Sequence, residues 1–270
     1  MTLTFKGPAT RLDDLDLPRI GAMIGVGEDE VHAFIEVETK GGGFDAQNRP
    51  KILFEPHVFY RCLPAGARRD QAVKAGLACK SWGQIPYGKE GEQYPKLLRA
   101  LLIDETAALK ACSWGLGQVL GENHVAAGYE TVQAMVADFT LDEDNHLEAA
   151  IRFIKANGLD DELRRHDWAA FARGYNGPGY KKNGYDTKLA AAFRKWQGIK
   201  DTPWSAAPPP PGYAPSRPNE PEAVTPVGSA SQPIPAPKPL EMAVAGDDAP
   251  PVQPGFLARL AAGFRAAIGA

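Results

Sequence analysis

The pattern of apolar and polar positions over the first 200 residues is mostly that of helices. Pro18 sits near the start of a short segment from Ile20 to Val26, where a first-turn proline is tolerated. Glu28, Asp29 and Glu30 open a second helix with negative charge at its dipole-positive end; it continues through Val31-His32-Ala33-Phe34-Ile35-Glu36-Val37-Glu38. Leu97, Leu98, Leu101, Leu102 and Leu109 fall at near-helical spacing between Glu92 and Leu109. Thr140-Leu141-Asp142-Glu143 reads as a capping box and Asn157-Gly158 as a stop, which places a helix over 141–157. Two further helices are predicted from Asp167 to Tyr175 and from Thr187 to Trp196. The exception is Phe44 through Glu55, where two short apolar segments flank an Asn48-Arg49-Pro50 turn and suggest a small β-hairpin or meander. The fold class is therefore α+β, a mainly helical domain with a minor β-element.

Gly41-Gly42-Gly43 ends the second helix, because glycine accepts the left-handed conformation of a C-cap. Glu38 is thereby left in the last turn, at the negative end of the backbone dipole and beside apolar neighbours. Both effects disfavour the ionised form and raise the carboxyl pKa. A carboxyl kept partly protonated near neutral pH is what a general acid requires. An exposed helix-end glutamate is the plainer reading of the same residues.

Composition narrows the field. With 44% hydrophobic residues and a net charge of −3, the chain can build a core and carries no basic field that would recruit nucleic acid. No stretch approaches the ~20 apolar residues of a membrane span. The N-terminus lacks the apolar segment of a secretory signal, so synthesis in the cytoplasm is expected. Cys62, Cys79 and Cys112 are odd in number and widely spaced, which suggests no disulfide framework. Of the 24 prolines, 16 fall between Pro203 and Pro254. Such a tract reads as an extended, solvated linker. It divides the chain into a folded domain over 1–200, a disordered Pro-rich linker over 201–254 and a tail over 255–270. In that tail Phe256, Leu257, Leu260, Phe264 and Ile268 recur at helical spacing, with Arg259 and Arg265 at polar positions. A basic amphipathic helix of this length suits a membrane surface or a partner rather than a span.

Two glycine-containing motifs remain. Ser113-Trp114-Gly115-Leu116-Gly117-Gln118 has too few glycines for a phosphate loop and no following Lys-Ser/Thr. Its small residues would let a polymer lie against the backbone, with Trp114 as a stacking face. Ala172-Arg173-Gly174-Tyr175-Asn176-Gly177-Pro178-Gly179-Tyr180 ends a helix in a loop that presents Tyr175, Asn176 and Tyr180. A tightly packed helix start and an ordinary loop are the plain alternatives. Cys112 with His57 or His124 would suggest a cysteine peptidase, but nothing in the sequence lowers a thiol pKa. His32, His57, His124, His146 and His166 lack metal-ligand spacing and read as helix-surface or capping residues. No metal and no organic cofactor is expected.

Taken together, Glu38-Thr39 with Gly43-Phe44, then Gly115-Leu116-Gly117-Gln118, then Tyr175-Asn176-Gly177 resemble the lysozyme-like superfamily. Its goose-type lysozymes and lytic transglycosylases show Glu-Ser with a nearby Gly-Phe, Gly-Leu-Met-Gln and Ala-Tyr-Asn-Ala-Gly in the same chain order. Phe34-Ile35-Glu36-Val37-Glu38-Thr39 and Arg49-Pro50-Lys51-Ile52-Leu53-Phe54-Glu55-Pro56-His57 are more closely similar to the N-acetylmuramidase domain of bacteriophage endolysins. The likeness spans about residues 15–198. A separate wall-binding module, common before this domain, is not expected in the fifteen or so residues that precede it.

The resemblance implies cleavage of the β-1,4 bond between N-acetylmuramic acid and N-acetylglucosamine, with peptidoglycan glycan strands as partner; separately, a monomer is expected. It places the catalytic acid on Glu38, with Gln118, Tyr175 and Asn176 lining the sugar cleft. Gly117 stands where the motif has Met. Glu36, two positions earlier, points about 200° around the helix, so one of the pair faces the cleft. Glu38 would protonate the glycosidic oxygen as the bond opens toward an oxocarbenium ion. Hydrolysis asks for a second carboxylate, for which Glu55 is the first candidate and Asp45 the next. Lytic transglycosylation through the muramoyl 6-hydroxyl needs none, and a non-catalytic wall-binding or virion structural module is the reading of another class. Without a signal, the enzyme is expected to reach the cell wall after release from the cytoplasm.

Overall fold

The computed structural model describes residues 5–38, 41–177 and 179–205; the proline-rich tract from 206 and the tail over 255–270 lie outside the described residues. Twelve helices and three short strands are found among them. The chain opens with α1 (Asp16–Ala22) and α2 (Glu28–Glu38), then β1 (Ile52–Phe54), α3 (Pro56–Cys62) and α4 (Ala67–Lys74). Next come α5 (Gln93–Leu101), α6 (Glu105–Lys110), β2 (Cys112–Trp114) and β3 (Val119–Leu120). The remainder is helical: α7 (Val132–Phe139), α8 (Glu143–Ala156), α9 (Asp160–Arg164), α10 (Trp168–Asn176), α11 (Tyr180–Asn183) and α12 (Tyr185–Trp196). This is the expected α+β class.

The three strands form one antiparallel sheet in the order β1-β2-β3, with Leu53 opposite Ser113 and Ser113 opposite Leu120. The expected hairpin is thus mostly a turn. Phe44 and Pro50 make a single bridge, Asp45 closes it by accepting from Gln47 N and Arg49 N, and β1 pairs with a segment far along the chain. The leucine-rich stretch from 92 to 109 is two helices, not one. Asp104 takes an extended conformation and accepts from Ala107 N, so its side chain starts α6 where a continuous helix would have kept its backbone helical. Asp142, rather than Thr140, caps α8 by accepting from Asn145 N at 2.9 Å.

Packing places the active helices together. α2 lies against α1 and α12, and α10 lies against α12. Phe34, Phe171 and Tyr175 join α2 to α10 through edge and stacked ring contacts, with Phe34 and Tyr175 5.3 Å apart and nearly perpendicular. Arg19 on α1 reaches Asp144 and Glu148 on α8 at 2.7 and 2.6 Å, which ties the first helix to the one behind the sheet. The largest enclosed side chains, Trp114, Tyr185, Phe34, Phe54, Phe59, Phe139 and Phe171, draw on both the helices and the sheet, so one core serves the domain.

Candidate functional site

Glu38 ends α2 and is only 2% exposed. α12 packs along α2 and carries α10 with it, and Asn176 at the end of α10 reaches the Glu38 carboxylate. Asn176 Nδ2 donates to Glu38 Oε1 and Oε2, each at 3.0 Å, and Lys188 on α12 adds a more distant positive charge. Burial raises the carboxyl pKa from 4.5 to about 7, while the Asn176 hydrogen bond and the Lys188 charge hold it back. The result is an acid that is substantially protonated at neutral pH, yet charged often enough to act as a base in return. Glu36 points the other way and accepts from Lys195 Nζ and Trp196 Nε1 at 2.7 and 2.9 Å.

Tyr175 precedes Asn176 on α10 and donates its hydroxyl to Gly117 O at 3.2 Å. Burial and the Glu38 charge both push the Tyr175 pKa up, so it stays a neutral donor. This bond connects the helix behind Glu38 to the loop between β2 and β3. Gln118 lies in the same loop at φ 47°, and its Nε2 donates to Gly115 O at 2.7 Å. Its Oε1 is enclosed with no hydrogen-bond partner among the described residues, a preset acceptor. Gly117 has a local reason: a Cβ there would stand 2.7 Å from Ala150 Cβ on α8. The structure thus brings Glu38, Asn176 and Tyr175 together, and the Tyr175 hydroxyl links them to Gly117, the residue before Gln118.

Those loops rest on residues that the sequence did not single out as site residues. Gly41 takes φ 77°, as a helix stop requires. A Cβ on Gly43 would lie 2.4 Å from His146 Nδ1, and one on Gly115 2.6 Å from the same atom. His146 is therefore no surface or capping residue; it is wholly buried on α8 between the two loops. Its Nδ1 accepts from Leu116 N at 3.1 Å and its Nε2 faces Phe139 O at 2.6 Å, a pairing that suits a neutral ring protonated on Nε2. Burial lowers its pKa from 6.5 to about 4. Glu143, read as a cap-box acid, instead reaches across to accept from Gly43 N, Leu12 N and Arg11. Glycine is the one sequence signal for this arrangement, and it does not say which ring or carboxylate it admits. His57 and His124 are buried as well, at 7% and 8% exposure.

Glu55 is placed elsewhere. It precedes α3 with no exposed surface, and its carboxylate accepts from Tyr87 Oη at 2.8 Å and Ser113 Oγ at 3.4 Å, with His57 Nδ1 3.6 Å away. These partners belong to α3, β2 and the segment before α5, none of which carries Glu38, Tyr175 or Asn176. Asp45 is engaged in its turn, with Arg49 at 2.7 Å. Trp114 offers no stacking face: it is fully buried against Phe5, and its Nε1 donates to Leu109 O. Tyr180 is also largely enclosed. Cys112 is buried on β2, and burial pushes its thiol up, away from a reactive thiolate.

Comparison with known proteins gives the family of the chain. The sequence profile of the N-acetylmuramidase family matches residues 28–197, which contain Glu38, Asp45, Glu55, Gln118, Tyr175 and Asn176. The crystal structure of a Burkholderia AP3 phage endolysin superposes with a TM-score of 0.65 at 37% identity, covering 72% of this chain and 74% of that one. No curated protein sequence matches the chain.

Proposed function

The chain belongs to the N-acetylmuramidase family and is a peptidoglycan hydrolase, and we propose that Glu38 is the general acid of its glycosidic cleavage. The single observation that carries this assignment is the pairing of Glu38 with Asn176 in an enclosed site that raises the carboxyl pKa to about 7. In the ground state Glu38 holds a proton that water would have taken. It delivers that proton to the glycosidic oxygen between N-acetylmuramic acid and N-acetylglucosamine as positive charge grows at the anomeric carbon. The leaving hydroxyl departs neutral, water bonds to the anomeric carbon and gives up a proton to solvent, and Asn176 Nδ2 stabilises the Glu38 carboxylate that remains.

Gln118 and Tyr175 serve the sugar. The unpartnered Gln118 Oε1 accepts a hydrogen bond from a substrate hydroxyl or acetamido N–H, and the Tyr175 hydroxyl fixes the Gly117 carbonyl that backs the loop. Arrival of the folded enzyme at the wall after synthesis in the cytoplasm is part of the same proposal, by analogy with the phage endolysin that shares its fold. The test is release of reducing ends from purified peptidoglycan by the wild type and by Glu38→Gln, with mass spectrometry of the fragments. Reducing muramic ends from the wild type alone support the assignment; equal release by both proteins defeats it.

A further inference from the structure

Trp196 and His32 form a parallel stack, with ring centres 3.6 Å apart and planes within 4° of each other. Both line a groove of about 430 Å³ together with Ile35, Glu36, Gly42 and Leu116. The indole is fixed in place, because its Nε1 donates to Glu36 Oε2 at 2.9 Å and Lys195 Nζ holds the same oxygen at 2.7 Å. None of these side chains serves the acid.

Glu38 is not among the residues that line the groove, but its neighbours along the chain are. Ile35 lies one turn before Glu38 on α2, about 60° around its axis. Gly42 follows Glu38 in the loop that Glu143 ties down, and Leu116 precedes the Gly117 that receives the Tyr175 hydroxyl. The volume falls within the ~300–1,000 Å³ of small-ligand sites. Its lining combines aromatic and aliphatic residues with the acidic Glu36 and Glu143. A pyranose has the matching pair of properties, an apolar face of C–H groups and a rim of hydroxyl donors.

On the reading that this chain cleaves peptidoglycan glycan strands, we infer that the Trp196–His32 groove is a sugar subsite, seating an N-acetylhexosamine ring of the strand beside the bond that is cut. A ring held there contributes binding energy away from the reacting centre and steadies the strand over Glu38. His32 covers one face of the indole and Lys195 Nζ stands 4.8 Å from the ring centre, so a sugar that packs on Trp196 displaces the half-exposed Lys195 side chain.

The test separates this inference from the acid assignment by measuring binding apart from cleavage. In a Glu38→Gln background, calorimetry follows a tetramer of β-1,4-linked N-acetylglucosamine, which carries no stem peptide. Adding Trp196→Ala is expected to weaken binding about tenfold, whereas Trp196→Phe keeps a ring and stays within about threefold. His32→Ala, which leaves α12 untouched, is expected to weaken it by about threefold. With Glu38 intact, Trp196→Ala should raise KM for glycan strands and leave kcat nearly unchanged. Unaltered affinity in both Trp196→Ala and His32→Ala overturns the subsite. So does a Trp196→Phe loss as large as that of Trp196→Ala, which would assign the effect to the Glu36 hydrogen bond, and so does binding confined to peptide-bearing fragments. Residual cleavage by Glu38→Gln would overturn the acid alone.

Discussion

Asn176 Nδ2 stands 3.0 Å from each carboxylate oxygen of Glu38, while Asn176 Oδ1 finds no hydrogen-bond partner among the described residues. An amide N–H favours the charged carboxylate, so this contact opposes the burial that keeps the acid protonated. With Glu38 as the proposed general acid, the balance between the two would set the upper pH limit of activity.

Because the acid must carry its proton, activity should fall as pH rises through about 7. Removing the donor with Asn176→Ala takes away a stabiliser of the charged form. The alkaline limb of the kcat/KM profile is therefore expected to move to higher pH, even if the maximum rate drops. Lys188→Met should move it the same way by less, and the shift should shrink in high salt. A limb that moves down in either variant contradicts the balance described.

Burial of Glu38 also bears on stability. Its folded pKa is raised, so the stability linked to it is fully present below pH 4.5 and is lost as pH rises through about 7. The loss amounts to about 3 kcal/mol at most. Glu38→Gln, neutral at every pH, should therefore be more stable than the wild type at pH 8 and no different near pH 4. Denaturant midpoints measured at the two pH values check this.

His146 works in the opposite sense. Its folded pKa is lowered from 6.5 to about 4, so the stability linked to it is present above pH 6.5 and lost as pH falls toward 4. In the wild type, Glu38 and His146 offset each other over this window. Glu38→Gln should uncover the histidine, with stability falling by up to about 3 kcal/mol between pH 6.5 and 4. Adding His146→Gln should flatten that slope, at a lower absolute stability; a slope that survives places its origin in other groups.

For Glu55 the expected outcome is structural. Glu55→Gln should lower the melting temperature, because Tyr87 and Ser113 both donate to the carboxylate, and leave cleavage within about tenfold of the wild type. A loss of about 10³-fold or more with unchanged melting would make Glu55 the base that activates water.

Gly43→Ala and Gly115→Ala each drive a methyl group into the His146 ring, and the second also holds a non-glycine at φ 64°. Each should destabilise the fold by about 1–3 kcal/mol and reduce activity through displacement of the loops beside Glu38. Thermal melts with parallel lysis assays would show either effect.

Much of the site was legible because its chemistry is local. The acidic start and glycine stop of α2 lie within sixteen residues of one another, and Asp167 capping α10 fixes where Tyr175 and Asn176 fall. What stayed hidden depends on contacts between distant segments. The partner of β1 is β2, and no feature of Ile52-Leu53-Phe54 names Cys112-Ser113-Trp114. Glu55 looks available in a turn-and-strand context until Tyr87 closes over it. His146 and Glu143 have ordinary helix positions, and their roles arise only when Gly43 and Gly115 converge on α8.

The 2.7 Å that would separate a side chain at 117 from the methyl of Ala150 makes these two positions one shared allotment of space. A methionine at the first can be seated only if the second, or the helix that carries it, gives way. Swapping the letter alone, without its neighbour, would lever the turn between β2 and β3 off its support.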